Sequence, residues 1–147
     1  MALECQDPVF GKMTYRHRWR KEATIVFLGK KKTIEIGAKA YSKKPITDKQ
    51  RASYTKFQSE SAELLEAAGD SLKDYVNENI ADLVNNWPSA RRVKTMSDLR
   101  NLVEPTTLLF TQDGTLLFLL ECDWDPENGI AVQLLPNIRV GSQDLFL

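Results

Sequence analysis

Between Thr47 and Asn85, apolar side chains return at every third or fourth residue, from Phe57 through Leu64, Leu65, Ala68, Leu72 and Val76 to Ile80, Leu83 and Trp87 just beyond. This period gathers them on one stripe of an α-helix and leaves Glu63, Glu66, Asp70 and Asp74 along the opposite side. A helix with such a stripe needs an apolar surface to cover, so the flanking residues have to build one. Unbroken, the helix would extend about 58 Å at the helical rise per residue. A compact chain of this size spans roughly 40 Å. The helix must therefore bend, break or project, and Gly69-Asp70 is the expected place for a break, because glycine costs about 1 kcal/mol relative to alanine in a helix. Thr47 and Gln50 have the capping-box spacing that opens a helix, and Trp87-Pro88 closes it.

The segments on either side change to a period of two. Trp19, Lys21, Ala23, Ile25 and Phe27 share one strand face, with Arg18, Arg20, Glu22, Thr24 and Val26 on the other. After Gly29, Ile34, Ile36, Ala38 and Ala40 alternate again, giving a hairpin that a short strand over 10–15 extends to a three-stranded meander. A short helix is expected over 96–103, capped by Thr95 or Ser97 and followed by Pro105. Strands over 107–111, 116–124 and 129–135 follow, separated by turns at Gln112-Asp113-Gly114 and Pro136-Asn137, with short runs to Leu147. The expected architecture is α+β in one domain over 1–147. A mainly antiparallel sheet from N-terminal and C-terminal meanders is covered by one long helix (about 47–85) and the short one (about 96–103).

A chain of 147 residues with 42% hydrophobic and 27% charged residues has the balance of a soluble globular domain, not that of a disordered or membrane chain. Cys5 and Cys122 lack a CxxC spacing and fit free thiols in a reducing compartment. With no secretion signal at the start and no apolar run of about 18 residues, cytoplasmic residence is expected and membrane insertion is not. The formal charge is zero, yet residues 11–51 hold thirteen Lys or Arg against three Asp or Glu, a balance of +10, and the remaining residues hold seven against seventeen, a balance of −10. Such separation either marks a partner surface or disappears when the two parts pack together.

The stretch ECDWDPENG sets Glu121, Asp123, Asp125 and Glu127 around Trp124 between two apolar runs. A proline suited to the second position of a turn and an Asn-Gly pair able to adopt positive φ explain it as a hairpin bend. As an EF-hand loop it fails, because the glycine comes one residue late and Leu134 stands where the bidentate glutamate belongs. A looser metal-dependent or hydrolytic site would draw on Glu121, Asp123, Asp125, Glu127 and Asp144. His17 is the single histidine, and there is no GxGxxG, Walker loop or CxxC pair. No cofactor is expected. Arg16, Arg18 and Arg20 are expected to share a strand face and, with Lys30, Lys31, Lys32 and nearby Tyr15, Trp19 and Tyr41, could line a nucleic-acid groove, but the acidic remainder of the chain opposes it.

WDPENG and GSQDLFL, together with the earlier DPVFG and PITDKQRASYTKF, resemble a family of small uncharacterised bacterial proteins, classed as a domain of unknown function. Its members show a W-D-P-E-x-G turn and a closing G-S-Q-D strand. The matching positions are Trp124, Asp125, Pro126, Glu127, Gly129, Gly141, Ser142, Gln143 and Asp144. The resemblance implies a bacterial origin and an α+β architecture, and no reaction. By analogy with small α+β families suspected of neutralising toxins, an immunity-type role is the expectation it brings. The leading expectation is a non-enzymatic module whose partner is another protein, met by the acidic helix face of Glu63, Glu66, Asp70 and Asp74 or by the arginines.

Overall fold

The computed structural model describes residues 3–85 and 87–147. Eight strands form one sheet in simple sequence order: β1 Leu3–Asp7, β2 Gly11–Tyr15, β3 Trp19–Phe27, β4 Lys30–Ala38, β5 Val103–Phe110, β6 Leu116–Cys122, β7 Ile130–Leu135 and β8 Arg139–Ser142. Each neighbouring pair is antiparallel except β4 and β5, which run parallel and align Glu35 with Thr107 and Ala38 with Phe110. A parallel neighbour cannot be reached by a hairpin, so the chain crosses over the sheet between them. That crossover carries the helices α1 Asp48–Glu78, α2 Ile80–Leu83 and α3 Met96–Arg100.

The entry of α1 is built as its sequence requires. Thr47 accepts the Gln50 backbone N–H at 3.1 Å, and Gln50 Oε1 accepts the Thr47 N–H at 2.9 Å. Gln50 is fully buried and also donates from Nε2 to the carbonyls of Lys39 and Phe110, at 2.8 and 3.0 Å. One side chain thereby ties the helix start to the ends of both parallel strands. Phe57, Leu65, Ala68, Leu72 and Val76 then bury the expected stripe, joined by Tyr54, against Ile25, Phe27, Ile36, Phe110, Phe118 and Val132 of the sheet.

The bend does not fall at Gly69. It falls at Glu60, whose φ of −121° and ψ of 19° leave the helical region, next to a Ser59 hydroxyl that bonds back to the Lys56 carbonyl at 3.0 Å. Gly69 is buried, and a methyl group added there would stand 3.0 Å from the Leu28 side chain. Its role is close approach of the β3–β4 tip. The helix also stops earlier than Trp87-Pro88 would place it, at Asn79, whose side-chain amide donates to the Tyr75 carbonyl at 2.8 Å. Further along, α3 ends at Arg100, because Val103 already belongs to β5. Pro105 therefore lies inside a strand, where the register shifts between Pro105 and Thr107.

β7 is buried along its whole length and β6 nearly so, which accounts for their unbroken apolar runs. On the side away from α1, Leu109, Leu117, Leu119 and Ala131 pack together beside Phe146, brought there by a 3₁₀ turn over Gln143–Leu145. The expected closing strand therefore ends at Ser142, with Gln143 and Asp144 in that turn. Among the described residues, three ion pairs link the basic stretch to the acidic remainder of the chain, Lys12–Glu4, Arg51–Asp7 and Lys32–Glu104, and only the last reaches beyond Arg51. No helix among the described residues is long and apolar enough to cross a membrane.

Candidate functional site

β3 and β4 are joined by a two-residue turn, Leu28-Gly29, with φ of 52° and 78°, the signs of a type I′ loop. Such a loop closes on a doubly hydrogen-bonded pair, here Phe27 with Lys30. Alternation along an antiparallel ladder then points the N–H and C=O of Glu22, Thr24 and Val26 away from β4. On that other side β2 pairs with β3 only at Tyr15–Trp19 and Thr14–Arg20. Among the described residues, no strand lies beside the edge of the sheet from Glu22 to Phe27.

A groove of about 890 Å³ lies between this edge and α1. Ala23 and Ile25 form its strand wall, and Phe57, Ser61, Ala62 and Leu65, on both sides of the Glu60 bend, form its helix wall. Leu28 and Met96 line it as well, Glu66 being its one carboxylate. Leu28 is held in a conformation that a branched side chain rarely adopts, with Arg100 donating to its carbonyl at 3.1 Å and Gly69 packed beneath. The size and apolar lining are those of a ligand-binding cleft. The sequence signal for it was slight: Val26, 58% exposed, stands on what reads as a polar strand face.

The acidic corner is arranged otherwise. Glu121, Asp123, Glu127 and Asp144 are all exposed, and Asp125 Oδ1 accepts the Asn128 N–H at 3.1 Å within the bend. Among the described residues no group of three or more His, Cys, Asp or Glu is placed to hold a metal ion. Trp124 turns inward and meets Trp87 at 5.9 Å between ring centres. Gly129, with φ of 74°, leaves room for the Gln143 amide, which donates to Leu120 O at 3.1 Å and Ile130 O at 3.4 Å. The W-D-P-E-x-G and G-S-Q-D motifs thus meet across β6, β7 and β8 as a lock on the sheet. Burial pushes the Cys122 thiol up to about 12, so at neutral pH it is not a nucleophile. A cavity of about 540 Å³ beside the bend is lined by Tyr75, Trp124, Asp125 and Ser142. Burial, with Cys122 and Asp125 nearby, raises the Tyr75 hydroxyl above its ordinary value.

Arg16, Arg18 and Arg20 do not share one strand face. Arg16 and Arg18 lie in the bend before β3, and Arg18 stretches over Gly37 to pair with Glu35 Oε2 at 2.6 Å. Arg20 takes the other oxygen at 3.0 Å and also bonds the Arg16 carbonyl. A nucleic-acid backbone would have to displace Glu35 to reach two of the three guanidiniums. Glu63, Glu66, Asp70 and Asp74 are exposed as expected, and none makes an ion pair among the described residues.

Sheet order, crossover helix and groove together define an α+β protein that presents a cleft between an edge strand and the helix covering its sheet. The chain belongs to the family described as Domain of unknown function (DUF6985), whose model matches residues 9–147. No curated protein and no solved structure matches it.

Proposed function

We propose that this domain is a protein-binding module whose binding surface is the groove between β3 and α1. The carrying observation is the groove itself, about 890 Å³ and lined mainly by apolar side chains, set beside a sheet edge that has no neighbouring strand among the described residues. An apolar cleft of that size, bounded by rigid elements, supplies buried area, and the edge supplies polar direction. The acidic helix residues Asp70 and Asp74 do not line it.

The test is selection of a random-peptide library on the immobilised protein, with each recovered peptide measured again on two variants. Ala62 is exposed on the groove wall, so Ala62→Trp fills the cleft without entering the core. The double change Asp70→Asn and Asp74→Asn alters charge outside it. Recovered peptides are expected to lose at least roughly tenfold in affinity on Ala62→Trp, the scale of one buried apolar anchor, and to keep it on the charge variant. Peptides that bind Ala62→Trp as well as the parent, or a selection that recovers none, would overturn the reading. Loss on the charge variant alone would move the site to the acidic helix face.

A further inference from the structure

We propose that the occupant of this groove is an extended segment of another protein that joins the sheet as an added strand beside β3, apolar at alternate positions and acidic at both ends. The inference rests on the reading of the groove as a protein-binding site and specifies how it is occupied.

The main chain makes the first argument. The N–H and C=O groups of Glu22, Thr24 and Val26 face the groove side in the geometry of a sheet edge, over a run of about 13 Å at the rise of a strand. Edge strands usually carry inward charges, proline or a bulge that discourage pairing. β3 has one inward charge, Lys21, whose ammonium donates to the Phe10 carbonyl and lies over the Tyr54 ring at the start of the edge. Beyond it the strand shows exposed Thr24 and Val26, and its ladder to β4 is regular from Trp19 to Phe27. A segment of about six residues completes that ladder.

Side-chain direction makes the second. In an added strand, residues opposite Ala23, Ile25 and Phe27 point to the helix side, into the cleft walled by Phe57 and Leu65, and the residues between them point to solvent. The cleft therefore selects apolar side chains at every second position only. Glu66 favours a hydroxyl or another donor within reach of the cleft and disfavours a carboxylate there.

Charge makes the third and decides between partners. Lys30 and Lys31 stand exposed at one end of the edge without an ion-pair partner among the described residues. At the other end lie half-buried Arg20, paired with Glu35, and Lys21, which donates to the Phe10 carbonyl and makes no ion pair among the described residues. A second copy of this chain would bring the same cations against them if the edges paired about their centre, whereas acidic flanks on a foreign segment meet them.

The probe is a synthetic peptide of alternating valine and threonine with two glutamates at each end, titrated against the full chain by fluorescence anisotropy. Two further peptides are N-methylated at every second residue, one in each phase, and a fourth carries lysines in place of the glutamates. The parent is expected to bind. One N-methylated phase should weaken it by roughly tenfold or more, as loss of main-chain hydrogen bonds does, and the lysine-flanked peptide should bind less well at low salt. Thr24→Pro should weaken the parent similarly, since its N–H is not used in the ladder to β4, whereas Thr24→Val should not. Bound peptide should slow hydrogen exchange at the amides of Glu22, Thr24 and Val26.

Equal binding of the parent and both N-methylated peptides would overturn strand addition without relying on any variant of the protein. If Ala62→Trp abolishes binding while N-methylation and Thr24→Pro do not, the groove reading stands and the added strand falls. If Ala62→Trp changes nothing, the groove reading falls with it. Failure of all the peptides to bind, or sedimentation of a dimer that Thr24→Pro dissociates, would also overturn the proposal, the second by placing another copy at the edge.

Discussion

Asp7 shows how one side chain joins two parts of the chain. Its carboxylate is 3% exposed, accepts the N–H groups of Val9 and Phe10 at 2.9 Å each, and meets Arg51 Nε at 2.8 Å, which fastens the first hairpin to α1. Burial alone would raise its pKa, but the Phe10 and Val9 N–H groups and Arg51 outweigh it and hold the carboxyl below its ordinary value. A folded-state pKa below the unfolded one means stability that is complete above the unfolded value, about 3.9, and is lost as pH falls through the lowered folded value. Asp7→Asn should therefore cost about 1–3 kcal/mol at neutral pH. Urea unfolding across pH should show parent and variant converging on acidification below that value. Gly129 offers a second test, because a methyl group there would stand 2.6 Å from the Leu120 carbonyl and from the Gln143 amide, on a backbone of positive φ. Gly129→Ala is expected to cost about 3 kcal/mol in denaturant unfolding. The sequence displayed the motif letters but not this meeting, since Gly129 and Gln143 come together only through the β7–β8 hairpin.

Among the elements, the features governed by neighbours in sequence were legible and those governed by packing were not. The Thr47–Gln50 cap, the apolar stripe of α1 and the β3–β4 hairpin all follow from local spacing and appear as expected. Helix propensity points to Gly69 for the bend, whereas Gly69 answers to Leu28, outside the helix at the β3–β4 turn. Pro105 reads in the sequence as the stop after α3 and is instead accommodated at a strand irregularity. The arginines read as one face because the alternation of β3 extends back past Trp19 in the sequence, whereas Arg16 and Arg18 lie in the bend before the strand. Gln50 carries more than a cap. Thr47→Ala should cost about 1 kcal/mol, the usual value for a lost cap. Gln50→Met, of similar shape, also removes the bonds to Lys39 and Phe110 in a buried site and should cost about 2–3 kcal/mol, read as a larger drop in melting temperature.

For the whole molecule, the α+β class and the two meanders were visible in the periodicities, but the groove was not, because an unpaired edge is a property of how β2 leaves β3 after Arg20. The groove's walls belong to a strand before the crossover and to the crossover helix itself, so an occupant holds both. A peptide present at a hundred times its Kd should stabilise the fold by about 2.7 kcal/mol by mass action, measured as a shift in the unfolding midpoint that Ala62→Trp abolishes. The single parallel seam has a kinetic counterpart. Every other strand pair closes through a turn or short link, whereas β4 must find β5 across the entire helical crossover, and long loops charge their entropy before contacts repay it. Stopped-flow refolding should therefore slow in Gln50→Met, which loosens that seam, whereas Gly129→Ala, within a local hairpin region, should chiefly hasten unfolding.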